Sequence, residues 1–279
     1  MKKLFVSISG GQTSGLMSFI LKSRYADEYE MSFVFANTGL ENEETLQFVE
    51  NCSNNFDLGV TWIEAVVNPK HGKGIRHRVT SFADASRKGE PFESFIAKSG
   101  IPNAAYPQCS DRLKALAIES YKNSIGWSGC HHAIGIRSDE ARRKAKNPGK
   151  YNLVYPLCDW FPTDKIDVSD FWEAQNFSLG LEEHEGNCQT CWKKSDKKLF
   201  LLALEHPERF EFMTRMEKEY KHVKPNRNGQ DRVFFRSNRS AVDILEQAQA
   251  FTPYQLRKMI GADPDQASGC SESCEAYGE

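Results

Sequence analysis

The chain has 279 residues, enough for one large α/β domain with an appendage or for two small domains. Its 36 Lys and Arg residues nearly balance its 38 Asp and Glu residues, and the formal net charge of −2 excludes a global basic surface for nucleic acid. The sequence has no apolar run near the ~18 residues of a membrane span and no signal-peptide pattern at its start. We therefore expect a cytoplasmic protein without a membrane partner, whose eight cysteines serve metal or redox chemistry rather than a disulfide framework.

A glycine-rich loop separates the first predicted strand from the first predicted helix. Residues 4–8 are mainly apolar, with β-branched Val6 and Ile8, whereas residues 16–21 are apolar at near-helical spacing. Between them, SGGQTSG places Gly10 and Gly11 beside the first N–H groups of a helix, where an anion is favoured and the backbone can approach a ligand closely. The pattern predicts a cradle for a phosphate or sulfate group, with an ordinary capped strand–helix turn as the alternative.

Strands and helices alternate in the next part of the chain. Residues 31–36 (MSFVFA) and 60–67 (VTWIEAVV) predict buried strands, and the segment between them predicts a helix capped by Thr38 or Asn42. This alternation predicts an α/β fold with a Rossmann-like parallel sheet and helices on both faces. Ligands bind outside the carboxyl ends of such strands, which is the edge where SGGQTSG and FANTG both lie.

The later elements are less regular. Residues 71–106 predict loops with one short helix near 92–98. The remaining predicted elements are a helix at 112–121, a strand within 127–135, and helices at 168–175 and 195–206.

The composition changes near residue 150, where aromatic residues become frequent. We predict a sheet domain over residues 1–150 and a smaller, mainly helical appendage over 151–260, which carries a CxxC pair. Residues 261–279 have little to bury and predict a flexible tail.

Five clusters carry the polar chemistry: SGGQTSG, FANTG, YPQCSDRLK, GIRSDEARRK and GNCQTCWKKS. Their order resembles the phosphoadenosine-phosphosulfate (PAPS) reductase family of the PP-loop adenine nucleotide alpha-hydrolase-like superfamily, and its phage and prophage members above all. The resemblance runs from Leu4 to about Leu202. It implies a PP-loop nucleotide-binding domain over residues 1–150, and an enzyme of sulfur metabolism that binds PAPS, adenylylsulfate or ATP.

The resemblance also implies which residues hold the adenine nucleotide. The phosphate or sulfate end is expected at Ser7, Ser9, Gly10, Gly11, Thr13 and Ser14. The adenine and ribose are expected at the second strand edge, formed by Phe35, Ala36, Asn37 and Thr38. A Gly-x-Arg element, formed by Gly135, Ile136 and Arg137, is expected to face the same cleft.

Two positions of the implied cleft bear on its chemistry. The planar guanidinium of Arg137 suits a bidentate contact with phosphate or sulfate, and a surface ion pair with Asp139 or Glu140 is the alternative. Related ATP pyrophosphatases have Asp where this chain has Thr13. The change removes a Mg²⁺ ligand, which favours sulfonucleotide binding or a modified use of ATP and Mg²⁺.

The cysteines predict a second centre. Cys188 and Cys191 form a CxxC pair, and Cys109 precedes a predicted helix. The resemblance to iron–sulfur adenylylsulfate reductases implies one metal site built on these three thiolates, with Cys270 or Cys274 as a source of the fourth. A [4Fe–4S] cluster is our first expectation and tetrahedral zinc the second, with unrelated structural cysteines as the alternative.

The implied reaction leaves three functions open. In reductases of the family a C-terminal cysteine attacks the sulfate sulfur, so we take Cys274, Cys109 and Arg137 as candidate catalytic residues. Such an enzyme needs a thiol or thioredoxin-like electron donor. The alternatives are an ATP-dependent sulfurtransferase that thiolates a nucleic acid or small acceptor, and a non-catalytic nucleotide-binding accessory protein.

The remaining notable residues have structural explanations. Small buried thiols are expected at Cys52, Cys130 and Cys158, and a structural role is expected for His131 and His132. The aromatic residues expected in the core are Trp160, Phe161, Phe171, Trp172 and Phe177.

Overall fold

A single mixed sheet organises the chain in the computed structural model, which describes residues 1–70, 72–182, 184–186, 188–262 and 277. Its strands are β1 (Lys2–Ile8), β2 (Tyr29–Asn37), β3 (Thr61–Val67), β4 (Ile75–Thr80), β5 (His131–Ala133) and β6 (Leu153–Val154). They lie in the order β4-β3-β2-β1-β5-β6. Neighbouring strands are parallel except for β3 and β4, which pair antiparallel.

Helices connect and follow these strands. They are α1 (Gln12–Tyr25), α2 (Glu43–Asn55), α3 (Glu90–Ser99), α4 (Leu116–Ser124), α5 (Pro156–Asp159), α6 (Lys165–Glu173), α7 (Asp196–Glu205), α8 (Glu211–Tyr220), α9 (Ala241–Ala248) and α10 (Pro253–Gly261). A π-helical turn, Asp111–Ala115, leads directly into α4. Within the described ranges, no helix combines the length and the apolar character needed to cross a bilayer.

Apolar side chains on both faces of the sheet fix the layers. Successive residues of a strand point to opposite faces, so Leu4 and Val6 of β1 pack with α1, α2 and α6. Phe5 of the same strand packs on the other face, in a cluster shared with α3, α4 and α7–α10. The predicted α/β fold, with a mostly parallel sheet covered by helices on both faces, is therefore confirmed.

The aromatic residues around Trp172 join α6 to the first helix. Trp172 is buried, and its indole N–H donates to the carbonyl of Gln12 at 3.0 Å. A Cβ on Gly15 would lie 2.8 Å from the Trp172 ring, so the glycine permits this close packing. The predicted aromatic core is confirmed: the other members, Trp160, Phe161, Phe171 and Phe177, pack against the same cluster.

The structure differs from the sequence prediction at one edge of the sheet. Residues 75–80 form β4, whereas the sequence predicts only loops and one helix over 71–106, and that part of the prediction is wrong. The strand escapes prediction because its exposed side chains include Arg76 and Arg78, which gives little apolar alternation.

At the other edge of the sheet, β6 lies just beyond the predicted domain boundary at residue 150. The division into domains stays a prediction, and all but residues 261, 262 and 277 of the predicted tail lies outside the described residues.

Replacing Trp172 with Ala should destabilise the protein by about 3–5 kcal/mol, because it leaves a large cavity between α6 and α1. Urea denaturation measures the change. The matched control is Ile166→Ala on the same helix, since the Ile166 residue is 69% exposed and its loss should cost less than about 0.5 kcal/mol. Equal losses for the two variants would contradict the packing described.

Candidate functional site

A cleft opens at the carboxyl ends of the central strands. Strand β1 pairs with β2 on one side and with β5 on the other, so the chain order reverses at β1. Open α/β sheets bind ligands in the crevice at this switch point. A cavity of about 340 Å³ lies there, between the loop after β1 and the loop after β5. The fold therefore places SGGQTSG, which follows β1, and GIRSDEARRK, which follows β5, at one site.

The two glycines of the first loop serve different purposes. Gly10 has φ +88°, and a Cβ at this position would collide with the Thr45 side chain. Gly11 is the N-cap of α1 with φ −99°, and a Cβ there would have only the Ser9 hydroxyl within 4 Å, at 3.9 Å. Gly10 is thus required by backbone conformation and packing, whereas a side chain at Gly11 would enter the open space of the cleft.

Hydroxyl groups hold the loop in shape. The Ser14 hydroxyl accepts from the backbone N–H of Ser9 at 3.1 Å and donates to the carbonyl of Gly11 at 2.9 Å. The Ser7 hydroxyl lies 2.7 Å from Nε2 of His132. Of the residues predicted to hold phosphate, Ser9, Gly10, Gly11 and Thr13 line the cavity. Ser7 and Ser14 instead support the loop from behind it.

Arg137 faces the loop from the end of β5. It lines the cavity, is 8% exposed, and holds Asp139 through two hydrogen bonds of 2.9 and 3.0 Å. The alternative ion pair is therefore present, and its arginine is a buried side chain that lines the cleft. Gly135 also lines the cleft, and a Cβ on it would lie 3.0 Å from Cα of Ser14, so β5 and α1 meet there. Ile136 is buried in the core.

Carboxylates also border the cleft. Glu140 is 1% exposed, and one of its oxygens accepts from Arg143 at 2.5 Å. The other oxygen of Glu140 has no hydrogen-bond partner within the described part of the chain. Glu41 accepts from the backbone N–H of Thr38 at 3.0 Å and also lines the cavity. Sequence reasoning missed both side chains as sources of negative charge beside Thr13.

The predicted adenine edge is mostly buried in the sheet. Phe35 packs against Trp62 with ring centroids 4.8 Å apart, and Ala36 lies in the core on the other face. The Asn37 amide donates to Glu64 at 2.7 Å and to the Ser86 carbonyl at 2.9 Å. The structure does not bring these three residues to the cavity lining. Their role toward adenine stays a prediction.

The three predicted cysteines meet in a second, smaller cavity. Cys109, Cys188 and Cys191 are all buried and line a space of about 20 Å³ together with Thr38 and other residues. The loop that carries the CxxC pair is fixed beside the cleft, because Gln189 donates its backbone N–H to the carbonyl of Leu40 at 3.0 Å. Residues far apart in sequence are thus brought together.

The described cysteines do not form a finished metal site. Within the described ranges, no three His, Cys, Asp or Glu side chains are placed to hold one ion. Cys270 and Cys274, predicted as a fourth ligand and as a nucleophile, lie outside those ranges. Three thiols around one cavity suit iron–sulfur or zinc chemistry, but coordination would require the sulfur atoms to converge further.

Lys114 joins the two cavities. It is buried in the π-helical turn, lines both the cleft and the cysteine cavity, and its ammonium lies 3.9 Å from a carboxylate oxygen of Glu41. Sequence reasoning did not single out this residue, because a lysine within a helical segment is usually exposed. Its placement between Leu113 and Ala115, both buried, was the available signal.

Three further cysteines and His132 lie outside the lining of these two cavities, and their structural role stays a prediction. Burial raises the pKa of the Cys52 thiol to about 12. Cys130 and Cys158 are half-buried, and the Cys158 thiol donates to the carbonyls of Ile136 and Arg137 at 3.2 Å. Burial and the nearby Lys122 ammonium hold the pKa of His132 well below its ordinary value, so the ring is neutral.

Comparison with known proteins finds relatives in sequence and solved structures that are similar to this chain. No family model matches the chain. It is 28% identical over 282 residues to the nin region protein ORF290 of Escherichia phage lambda, covering 98% of this chain and 94% of that protein. It is 24% identical over 213 residues to an uncharacterized protein of Methanocaldococcus jannaschii; the match covers 73% of this chain but only 45% of that protein. A solved structure of PAPS reductase from Candida auris, a phosphate complex, superposes with a TM-score of 0.38 and 13% identity over 62% of this chain and 72% of that one. The phage relative fits the expected phage type.

Replacing Gly11 with Val should weaken the binding of adenine nucleotides by more than about tenfold, because the side chain would occupy the cleft. Isothermal titration calorimetry with PAPS, adenylylsulfate and ATP measures the change. Gly74→Val is the control, since Gly74 is exposed and a Cβ at this position would have no other atom within 4 Å. Unchanged affinity for every nucleotide that binds, in a variant with a normal circular dichroism spectrum, would contradict the assignment of the cleft.

Proposed function

We propose that the chain is a PAPS-reductase-like enzyme that binds an adenine nucleotide in the cleft and reduces or transfers its sulfur at the cysteine cavity. One observation carries the proposal: Lys114 lines both cavities. A single buried cation can therefore contact an anionic ligand on one side and stabilise thiolates on the other. The adenine part rests on the resemblance of the motifs, and the anionic part rests on the chemistry of the cleft.

The anionic end of the nucleotide would lie between the first loop and Arg137. The N-terminus of α1 presents backbone N–H groups beside Gly11, and Thr13 adds a hydroxyl donor. Arg137 and Arg143 supply guanidinium groups from the opposite wall. Because Asp139 already holds Arg137 in a fixed orientation, the contact would cost little ordering of that side chain.

In the thiol form of the reaction, two cysteine thiols of this chain supply the two electrons of a single turnover. The thiolate of Cys109 attacks the sulfur of the sulfate group, the bond from sulfur to the bridging oxygen breaks, and the nucleotide phosphate leaves with that electron pair. A second thiolate, from Cys188, Cys191 or the tail Cys274, then attacks the Cys109 sulfur and releases sulfite. Two thiols are oxidised to a disulfide while the sulfur gains two electrons. A thiol or thioredoxin-like donor then reduces the disulfide.

A metal-bound form uses the same cysteines differently. Cys109, Cys188 and Cys191 would be ligands, with Cys270 as the proposed fourth, and a [4Fe–4S] cluster or zinc would hold the sulfur atoms together beside Lys114. The group would supply charge and thiolate ligation at the end of the cleft. Coordination would also stabilise the fold, since binding free energy contributes directly to folding.

A second candidate function is an ATP-dependent sulfurtransferase. The observation that favours it is a Glu140 oxygen in the wall of the cleft that has no hydrogen-bond partner among the described residues. Mg²⁺ is commonly held by one or two carboxylates together with nucleotide phosphates, and Glu140 and Glu41 offer such groups where Thr13 does not. This function would release pyrophosphate from ATP in the presence of an acceptor.

Replacing Lys114 with Met should lower the rate of sulfite release from PAPS or adenylylsulfate by about a hundredfold, because a preorganised cation at the reacting charge is lost. The assay uses a dithiol or thioredoxin as the donor. Lys122→Met is the control, since Lys122 is also buried but pairs with Glu119 and lines neither cavity. Unchanged turnover in a folded Lys114 variant would contradict the proposal that Lys114 acts in both cavities. Release of pyrophosphate from ATP, without release of sulfite, would favour the sulfurtransferase.

Replacing Cys109, Cys188 or Cys191 with Ser should lower the iron or zinc content and the melting temperature together, because each removes a ligand that also supports folding. Metal and sulfide analysis of anaerobically purified single variants makes the measurement. Cys52→Ser is the control and should leave metal content unchanged. Wild-type protein without iron, zinc or labile sulfide would end the metal proposal and leave the thiol form.

A further inference from the structure

A groove rich in basic side chains lies beside the cysteine cavity. Its volume is about 550 Å³, and its cationic lining residues are Arg112, Lys146, Lys150 and Lys193. Asp111 is the acidic side chain among the described lining residues. The chain as a whole carries a net charge of −2, so this concentration of positive charge is local. We call this surface the basic groove.

The basic groove reaches the predicted reaction centre. Ser110 lines both the groove and the cysteine cavity, and it follows Cys109 in the chain. The backbone N–H of Arg112 donates to the carbonyl of Gln108 at 2.9 Å, which fixes this segment at the groove wall. A ligand lying in the groove would therefore pass within one residue of Cys109.

A neighbouring cavity extends the basic groove away from the cysteines. It has a volume of about 570 Å³, and its lining includes Arg227 and Arg236. Tyr106 lines this cavity and the next residue, Pro107, lines the groove. The Arg236 guanidinium also donates to the carbonyl of Lys193 at 2.6 Å. The two cavities are therefore adjacent at Tyr106 and Pro107, and cationic side chains line both.

The wall shared by the two cavities is held in place by buried contacts. The Arg232 guanidinium carbon lies 3.5 Å from the centroid of the Tyr106 ring. The Asn103 amide donates to the carbonyl of Val233 at 3.0 Å, and its oxygen accepts from the backbone N–H of Ala105 at 3.0 Å. Amide side chains of Asn147 and Asn228 add hydrogen-bonding groups along the surface. The surface is therefore preorganised.

We propose that the basic groove and its extension bind the sugar-phosphate backbone of a nucleic-acid strand. Lys, Arg and amide side chains are the groups that contact phosphates and sugars in protein–nucleic acid complexes. Cations distributed over two adjacent cavities can contact several backbone phosphates at once, whereas one small anion would be held by one cluster. The binding claim does not depend on which reaction the cysteines perform.

The test is fluorescence anisotropy with labelled single-stranded RNA and single-stranded DNA of equal length, over a series of KCl concentrations. We expect binding that weakens as salt rises. The combined variant Arg112→Gln, Lys146→Gln and Lys150→Gln should weaken it by about tenfold or more and should lower the dependence of log K on log salt by about 2, since each phosphate contact on a single strand contributes about 0.7. The ratio of the affinities for RNA and DNA shows whether the groove prefers ribose or deoxyribose.

The control variant removes the same charge from other surfaces, through Lys22→Gln, Arg24→Gln and Lys88→Gln. These residues lie outside both cavities, and we expect affinity within about twofold of wild type. Absence of binding by wild-type protein, or equal losses in both variants, would overturn the proposal. Binding of polyglutamate without binding of either nucleic acid would also overturn it, in favour of an acidic protein. Anisotropy needs no turnover, so failed sulfite or pyrophosphate assays leave this result standing.

Discussion

The pairing of β1 with two parallel neighbours is the constraint on which the site depends. Strands β2 and β5 lie on either side of β1 and run in the same direction. The carboxyl ends of all three strands therefore lie at one edge of the sheet, and the segments that follow them begin there. The glycine loop, the Thr38–Glu41 turn and Arg137 are therefore neighbours, although they lie far apart in the chain. The absence of a side chain at Gly135 lets β5 approach α1, which closes the cleft at its base.

Buried charge links this edge to the cysteines. Glu41 receives backbone N–H donors from its own turn, and its carboxylate lies 3.9 Å from the Lys114 ammonium. Cys188 pairs with Glu41 through an isolated β-bridge, so the loop that carries the CxxC pair is tied to the same turn. A buried ion pair is costly to form unless its geometry is fixed, and here it lies where an anionic ligand and thiolates would both use the cation.

The apolar strands and the glycine loop could be predicted because their signals are local. Residues 4–8 and 31–36 are short apolar runs, and each became the centre of a buried strand. The strand β4 could not be predicted from the sequence. Its exposed arginines leave little alternation of apolar and polar residues, which is the pattern that indicates a strand. The burial of Asn37 depends on Glu64 and Ser86, which are distant in sequence, so no local pattern shows that its amide is already bonded.

The candidate site, like the fold, could be predicted only in part from the sequence. The clustering of Cys109 with the CxxC pair was expected from a resemblance between motifs, and spacing alone would not have indicated it. The burial of Lys114 beside both cavities depends on a π-helical turn, and sequence periodicity does not reveal such a turn. Likewise, the basic groove draws on three separate segments around Arg112, Lys150 and Lys193, so its charge is visible only once they are folded together.

The central claim is that the cleft delivers sulfur to the cysteine cavity. Its most direct test is peptide mass spectrometry after one turnover with PAPS or adenylylsulfate, without external reductant. The account predicts an added SO₃ group, or a disulfide with an equivalent of released sulfite, confined to the peptides that carry Cys109, Cys188, Cys191 or Cys274. At a nucleotide concentration near the wild-type Kd, the yield of both products should be much lower in the Gly11→Val variant. Complete lack of both products in wild-type protein, or modification of Cys52, Cys130 or Cys158 instead, would contradict the claim.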